Sequence, residues 1–313
     1  MTVISPDPAV QQMPRHPLVS IVCPTYNHEH FLAQTLDGFL SQRTSFTYEI
    51  LVNDDASTDS TAAVLARYVE RYPSIIRPFY HRVNQYQQGK SCTPGLFKEA
   101  RGRYIAFCEG DDYWTDPNKL QMQVDFLENH NDYVMTYHDA IAFDSNSEKG
   151  IQLRGKLRRD ASALELQKGR PISTLTVCFR NVLHELPPEL LHAPLGDMCW
   201  WSLLGAHGKG KFLGQIKPAA YRVHAGGVFS MRSNKRKLHM NLQTCSALAN
   251  YYHRLNSQPL YEHFLREVFC LSLSALSPAH KLQALAMIVR NISVNVWRRL
   301  MPPGDNARTQ YRQ

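Results

Sequence analysis

The run Leu18-Val19-Ser20-Ile21-Val22-Cys23, closed by Pro24, is almost wholly apolar and rich in β-branched residues. Such a run predicts a strand that is buried on both faces. Comparable runs follow at residues 48–53, 75–80 and 103–108, and each is separated from the next by a helical pattern. Strands without a wet face that alternate with helices predict an α/β fold whose mostly parallel sheet is flanked by helices.

The pattern changes beyond residue 130. Residues 133–143 and 173–179 are strand-like, and the stretch 145–159 between them is polar and basic. A helix is predicted to begin near Asp197, and a last strand is predicted over 211–223. From residue 231 onward Leu, Ala and Met recur at helical spacing, which predicts a C-terminal helical appendage followed by a polar tail.

Composition narrows the class of protein. The 313 residues carry 35 Lys+Arg against 27 Asp+Glu, a net charge of +8, and 43% are hydrophobic, which excludes disordered and collagen-like chains. Seven scattered cysteines without a Cys-x-x-Cys spacing predict reduced thiols in a reducing compartment. No uncharged run reaches the roughly 18 residues of a membrane span, and residues 1–17 lack signal-peptide features, so a cytoplasmic protein is expected.

Two acidic clusters follow predicted strands. Glu109, Asp111 and Asp112 stand around Gly110, and such repelling carboxylates are costly to gather unless a cation such as Mg²⁺ or Mn²⁺ binds them. A solvated acidic turn is the alternative. The pair Asp54-Asp55 is the weaker signal, because Asp before a helix is also a common turn or capping residue.

Two familiar nucleotide-binding signatures are missing from the chain. No Gly-x-Gly-x-x-Gly follows the first strand, and no Gly-x4-Gly-Lys-Ser/Thr occurs anywhere. A dinucleotide dehydrogenase and a P-loop enzyme are therefore not expected.

The ordered set of strand-end motifs resembles family 2 glycosyltransferases of the GT-A fold, over roughly residues 18–230. The motifs are Val19-Ser20-Ile21-Val22-Cys23-Pro24-Thr25-Tyr26-Asn27, Asp54-Asp55-Ala56-Ser57-Thr58-Asp59, Gly102-Arg103-Tyr104-Ile105-Ala106-Phe107, Glu109-Gly110-Asp111-Asp112 and Pro117-x-Lys119-Leu120. The resemblance implies a flexible leader at 1–17, a catalytic domain at 18–230 and a helical region at 231–313. Within the catalytic domain it implies a nucleotide-sugar half (18–130) and an acceptor half (131–230).

The resemblance also implies roles for these motifs. The turn Pro24, Thr25, Tyr26 and Asn27 would bind the nucleotide, with Tyr26 stacked on the base. Asp55 would accept a hydrogen bond from the base edge. Asp111 matches the last carboxylate of the family's Asp-x-Asp motif and is the best metal ligand, with Asp112 beside it. Glu109 stands where the family has its first Asp, and Glu109 and Gly110 are assigned to the nucleotide.

Gly196-Asp197-Met198 resembles the place where these enzymes keep their catalytic base, so the base is expected at Asp197, which follows a glycine and precedes Trp200 and Trp201. These aromatic rings would withdraw the carboxylate from water and raise its pKa. An N-capping role is the alternative, and Glu185 and Glu189 are the fallback bases.

The stretch Tyr221-Arg222-Val223-His224 resembles one that often closes the catalytic region in this family. His224 could ligate the metal or donate to phosphate, whereas a purely structural histidine is the alternative. Arg222 and Lys90 are candidate phosphate contacts, and Arg82 is a weaker candidate for the same role.

Other candidates are assigned to structure. His28 and His30 lie two residues apart, which does not suit a zinc helix, and we interpret them as a helix-start surface. Cys23 and Cys108 are predicted to be core residues. The apolar face from Leu282 to Val296, followed by Arg298 and Arg299, predicts either contact with an anionic membrane surface or an ordinary packed helix.

The sequence therefore predicts a metal-dependent inverting transferase. It would move a sugar from a nucleotide-diphospho-sugar, most simply a UDP-sugar, to a glycan or lipid-linked acceptor in envelope or extracellular polysaccharide synthesis. The expected location is the cytoplasm, with peripheral binding to the inner membrane face as an option. The alternatives are an inactive binding protein with the same fold and a sugar nucleotidyltransferase; a nucleic-acid partner is not expected.

Overall fold

The computed structural model describes residues 16–144, 147–152, 157–224, 226–227, 232–277 and 279–283. The strands are β1 Val19–Thr25, β2 Tyr48–Asp54, β3 Ile76–Tyr80, β4 Tyr104–Phe107, β5 Tyr133–Tyr137, β6 Ala140–Asp144, β7 Ser147–Gln152, β8 Cys178–Arg180, β9 Lys209–Phe212 and β10 Ala219–Val223. The helices are α1 Leu32–Leu40, α2 Thr61–Arg71, α3 Thr93–Glu99, α4 Lys119–Asn129, α5 Ala163–Gln167, α6 Gly196–Leu204, α7 Asn234–Arg254 and α8 Gln258–Ala275.

The main sheet has seven strands in the order β3-β2-β1-β4-β8-β5-β9. Strands β3, β2, β1 and β4 are parallel, β8 runs antiparallel to both of its neighbours, and β9 is parallel to β5. The predicted mostly parallel sheet is therefore confirmed.

Helices cover both faces of this sheet. Ile21 and Val52 pack on the side of α1, α2 and α4, whereas Val22 and Leu51 pack on the side of α3, α6 and the C-terminal helices. Because successive side chains of a strand point to opposite faces, a strand covered on both sides must be apolar at nearly every position. This is the reason why the first run of the sequence carries no alternation.

Strand β1 continues past Pro24, where the sequence predicted that it would end. The Pro24 carbonyl accepts a hydrogen bond from the Gly110 N–H at 3.0 Å, so the backbone polar groups of Pro24 face the β4 side. Within β1, only Val19–Val22 pair with β4. Proline is tolerated because its missing N–H falls beyond that ladder.

Two predicted strands are each broken into two. The run 133–143 forms β5 and β6, and the run 211–223 forms β9 and β10. In each case the first piece stays in the main sheet, and the second joins a three-stranded sheet in the order β10-β6-β7. The polar stretch supplies β7. The apolar composition does not change at either break, so the sequence pattern could not reveal the switch between sheets.

The C-terminal helices α7 and α8 pack onto the rest of the chain through α6. Tyr252 and Phe264 stack at 5.7 Å, and the Tyr252 hydroxyl lies 2.8 Å from Ser202 Oγ. Among the residues described, none of the helices combines the length and the apolar character needed to cross a bilayer. The predicted leader, apart from its last two residues, and the basic end of the appendage after residue 283 lie outside the described residues. The predicted domain boundaries remain predictions.

Gly102 marks the closest approach between β1 and the segment that precedes β4. A Cβ atom added there would lie 2.5 Å from the Ser20 nitrogen and 2.7 Å from the Val19 carbonyl carbon. Because α3 already ends at Glu99, Gly102 does not close that helix, and its lack of a side chain serves strand packing.

We expect Gly102→Ala to lower the free energy of unfolding by about 1–3 kcal/mol, the usual effect of overpacking a tight interior. Gly95→Ala is the matched control, because a Cβ at this α3 position meets nothing within 4 Å. Alanine there should be neutral or stabilise by up to about 1 kcal/mol. Urea unfolding followed by circular dichroism measures both, and equal midpoints for the two variants would contradict the packing argument.

Candidate functional site

Three turns meet at the carboxyl edge of the parallel strands. Beyond β4, the Cys108 N–H donates to the Val22 carbonyl at 3.1 Å, next to the bond between Gly110 and Pro24. The Asp55 N–H, just after β2, donates to the Thr25 carbonyl at 3.0 Å. The ends of β1, β2 and β4 therefore form one surface, at the place where open parallel sheets bind ligands.

The turns after β1 and β2 are tied together by hydrogen bonds. Asn27 has a left-handed φ of 55°, its N–H donates to Ser57 Oγ at 2.9 Å, and its side-chain oxygen accepts from the Thr58 N–H at 2.8 Å. The His28 N–H donates to Thr61 Oγ1 at 2.7 Å. The side chain of Asn27, predicted to bind the nucleotide, thus joins the two turns, while the neighbouring Tyr26 is half-buried.

Gly110 lets the acidic turn press against the first turn. A Cβ at Gly110 would lie 2.6 Å from Thr25 Oγ1 and 3.1 Å from His28 Nδ1. No larger residue fits without displacing these side chains. Glycine thus permits a backbone approach that any side chain would prevent.

His28, Asp111 and His224 converge at this edge. His224 Nε2 lies 2.9 Å from Asp111 Oδ2, and His28 Nε2 lies 3.6 Å from the same oxygen. Within the described part of the chain, these side chains form a group whose ligand atoms all lie within 4.8 Å of one another. Imidazole nitrogens and a carboxylate oxygen are ligands that divalent metals accept, so the residues present fit a metal ion.

The interpretation of His28 as a surface residue is wrong. Only 13% of its side chain is exposed, because the turn after β1 folds over the acidic turn, whereas the side chain of His30 is 80% exposed as predicted. A histidine two positions after Tyr26, at the carboxyl end of a buried strand, was the signal that sequence reasoning missed.

Asp112, also predicted as a ligand, lies outside this group. Its carboxylate accepts the Arg222 N–H at 2.7 Å, which joins the acidic turn to β10, and the residue is 2% exposed. Glu109 is likewise engaged elsewhere, since the Thr174 hydroxyl lies 2.8 and 2.9 Å from its two carboxylate oxygens. Thr174 was not predicted, because its segment has no motif.

The three carboxyl groups have different pKa values. Burial and the charge of Asp111 raise the pKa of Glu109 to about 8, and burial with the two neighbouring carboxylates raises that of Asp112 well above its ordinary value. Burial would also raise the pKa of Asp111, but the imidazoles of His224 and His28 outweigh it and hold this pKa below its ordinary value. Burial lowers the pKa of His28, which favours the neutral imidazole that a metal ligand requires.

Arg222 lies in β10 and His224 directly follows its last residue, and both side chains contact the same aromatic ring. The Phe31 ring lies 4.7 Å from the imidazole of His224 and 4.5 Å from the guanidinium of Arg222. The guanidinium also donates to Gln34 Oε1 at 2.7 Å. Arg222 is thereby fixed beside the candidate metal site by an aromatic ring and an amide.

Asp55 contacts the first residues of the segment 85–90, and Lys90 is the last residue of this segment. Both carboxylate oxygens of Asp55 accept backbone N–H groups, from Gln85 at 2.8 Å and Tyr86 at 3.0 Å, and Asp55 is 4% exposed. Lys90 is exposed at the end of the same segment. Asp55 therefore holds this segment in place, and a carboxylate retains further acceptor positions for a ligand.

Asp197 lies in the first turn of α6, and its charge contributes to raising the pKa of Glu109. The helix cap is Leu195, so the capping alternative for Asp197 is not supported. Trp200 of the same helix is 5% exposed and packs on Phe107 at 5.4 Å, and the desolvation of Asp197 by the tryptophans stays a prediction.

The fallback bases Glu185 and Glu189 lie away from this arrangement. The side chain of Glu185 is 84% exposed and lies 3.7 Å from the Lys98 ammonium group. Glu189 pairs with Arg254 of α7. Cys23 and Cys108 are fully buried, as predicted for core residues.

The raised pKa of Glu109 predicts a pH effect on the metal-free protein. The folded state binds this proton more tightly than the unfolded state, whose Glu pKa is about 4.3. The stability that this bound proton contributes is fully present below the Glu pKa of the unfolded state, and it is lost as the pH rises through the folded-state pKa of Glu109, about 8. In EDTA, we expect urea midpoints to fall between pH 5 and pH 8, and to fall less in Glu109→Gln.

Asp112 contributes in the same direction, so some pH dependence should remain in that variant. Glu70→Gln, at an exposed position of α2, should leave the wild-type slope unchanged. An identical slope in Glu109→Gln would show that Glu109 is not the group responsible.

Several known proteins are similar to this chain in sequence or in fold. The model of the family Glycosyl transferase family 2 matches residues 20–186. A Mycobacterium tuberculosis protein of uncharacterized function is 30% identical over 286 residues, which cover 88% of this chain and 80% of the relative. The Escherichia coli enzyme WfaP, a UDP-Glc:alpha-D-GlcNAc-diphosphoundecaprenol beta-1,3-glucosyltransferase, is 28% identical over 220 residues, 67% of this chain and 79% of WfaP.

A solved structure supports the same fold. The mannosyltransferase PcManGT from Pyrobaculum calidifontis, determined with GDP-Man and Mn²⁺, superposes with a TM-score of 0.54 at 16% identity. The match covers 89% of this chain and 81% of the mannosyltransferase. The family match spans more than half of the chain, and the fold agrees with that of the mannosyltransferase. The chain therefore belongs to glycosyl transferase family 2 and has the GT-A fold of such enzymes.

Proposed function

We propose that the protein is a metal-dependent, inverting glycosyltransferase that moves a sugar from a nucleotide-diphospho-sugar to an acceptor hydroxyl. The observation that carries this proposal is the convergence of His28, Asp111 and His224 at the strand ends. Asp197 is close enough for its charge to raise the pKa of Glu109 in the same acidic turn. A cation-binding centre and a carboxylate base are the two parts that such a transfer needs.

The donor is proposed to lie across the turns at the strand ends. Pro24 to Asn27 and Asp55 would contact the base, Glu109 and Gly110 the ribose side, and Arg222 and Lys90 the phosphates. The support is positional: the turns after β1, β2 and β4 meet at one edge, and Phe31 and Gln34 hold Arg222 beside the candidate metal site.

Asp197 is proposed as the general base. It would accept the proton of the acceptor hydroxyl while that oxygen attacks the anomeric carbon, opposite to the departing diphosphate, which inverts the configuration. A divalent cation, held by Asp111 with His224, supplies charge neutralisation for the diphosphate leaving group. Trp200 and Trp201 would restrict water around the base.

A UDP-sugar is the proposed donor and a lipid-linked sugar the proposed acceptor. WfaP uses UDP-Glc and a diphosphoundecaprenol-linked sugar, although PcManGT was solved with GDP-Man, so other nucleotides need testing. The net charge of +8 would favour an anionic membrane surface, where such acceptors reside. We therefore place the enzyme in the cytoplasm, at the inner membrane face, in envelope polysaccharide synthesis.

Substitution of the base should separate catalysis from donor binding. We expect Asp197→Asn to lower kcat by about 10²–10⁴-fold, because the acceptor loses its proton acceptor, while nucleotide binding is unchanged. Asp111→Asn should lose both metal-dependent nucleotide binding and turnover. Glu185→Gln, at an exposed carboxylate outside the site, is the matched control and should behave as wild type.

Thermal shifts with UDP, GDP, CDP and dTDP, each with and without Mn²⁺, measure binding, and release of the preferred nucleotide from its sugar conjugate measures turnover. Full activity of Asp197→Asn would refute the base assignment. The lack of any nucleotide-induced shift in the wild-type chain would favour the inactive binding protein with this fold.

A further inference from the structure

We propose that His28 is a third protein ligand of the cation, and that the resulting two-imidazole site prefers divalent transition metals to Mg²⁺. The inference rests on the proposed metal-dependent function, and it adds to that function a ligand from the turn after β1 and a rule for cation choice. The sequence motifs alone had suggested that His28 lies on the surface.

The distances suit one shared ion. Two donor atoms that each lie about 2.1 Å from the same metal are at most about 4.2 Å apart. The separations of Asp111 Oδ2 from His224 Nε2 and from His28 Nε2, 2.9 and 3.6 Å, both fall within this limit. The whole group spans no more than 4.8 Å, so a small inward movement brings all three donors onto one ion.

The imidazole of His28 is held in the orientation that a ligand needs. Its Nδ1 lies 3.1 Å from Thr25 Oγ1, which leaves Nε2 directed at Asp111. A partner on the second ring nitrogen is the usual means by which proteins orient a metal-binding histidine. The backbone bond from His28 to Thr61 fixes the turn itself, and the absence of a side chain at Gly110 leaves room for the ring.

His224 is supported separately, from the other side of the site. Its ring packs at 4.7 Å on Phe31 and edge-on at 6.0 Å to the ring of His28. The two imidazoles therefore come from distant parts of the chain and are positioned by different contacts. Both are directed at the same oxygen of Asp111.

The donor set determines the cation preference. Mg²⁺ favours oxygen ligands and retains its water, whereas imidazole nitrogen favours transition metals. A site with only carboxylates would admit Mg²⁺ readily, but one with two imidazoles and one carboxylate discriminates against it. We therefore expect Mn²⁺, Co²⁺ or Zn²⁺ to bind more tightly than Mg²⁺.

The test measures metal binding to the full chain, with Mn²⁺ and Mg²⁺ as probes in calorimetric titrations, alone and with UDP. We expect His28→Gln to weaken Mn²⁺ binding by about tenfold or more, comparable to the effect of disturbing a metal site's support, and to weaken Mg²⁺ binding much less. His30→Gln is the matched control, since that exposed imidazole lies two residues away, and it should bind both ions as wild type does.

Two further readouts separate a ligand from a merely structural histidine. Pulsed electron paramagnetic resonance of bound Mn²⁺ should show two imidazole nitrogen couplings in the wild type and one in His28→Gln. His28→Asp should recover Mn²⁺ binding through an oxygen donor and reduce the preference for Mn²⁺ over Mg²⁺. Circular dichroism in EDTA verifies that the variants are folded.

The outcomes distinguish this inference from the function on which it rests. If His28→Gln binds Mn²⁺ with wild-type affinity and both nitrogen couplings, whereas Asp111→Asn loses binding, His28 is not a ligand and the proposed function stands. If the wild-type chain binds no divalent ion even with nucleotide, the metal-dependent function and the inference both fail.

Discussion

Carboxylates that are crowded into a partly buried turn repel one another, and the candidate site is organised around that repulsion. Asp111 is the member of the acidic turn whose charge is favoured, because His28 and His224 face it. The pKa values of Glu109 and Asp112 are raised by burial and by their charged neighbours. A cation bound at Asp111 would relieve the repulsion for the whole turn, so the same arrangement that destabilises the metal-free turn favours the bound ion.

This arrangement depends on how closely the strand ends approach each other. Strand β1 lies between β2 and β4, so the turns that follow the three strands must share one small space. Gly110 permits contact with Thr25, and Asn27 joins the first turn to the second through its left-handed backbone. A short strand β10 in a separate sheet then adds Arg222 and His224 from far along the chain. Backbone packing between distant segments thus assembles the site.

Much of the fold could be predicted because burial on both faces leaves a clear trace in the sequence. The continuous apolar runs of β1, β2 and β4 and the helical spacing of α1, α2 and α4 were all recognisable. The division of residues 133–143 and 211–223 between two sheets was not recognisable, since the composition stays strand-like across both breaks. Where a strand pairs is decided by contacts between distant segments, and a local pattern does not record them.

The site divides in the same way. The sequence by itself determined that carboxylates gather at strand ends and that a helix begins near Asp197, shortly before bulky aromatic residues, whereas the choice of Asp111 among the carboxylates came from the family resemblance. Only the tertiary structure decided that His28 faces Asp111, that the carboxylate of Asp112 accepts a β10 backbone N–H group and that Thr174 contacts Glu109. Residue type and local spacing reveal which groups carry chemistry, but the ångström-scale contacts that set their charge and partners arise only when distant segments pack together.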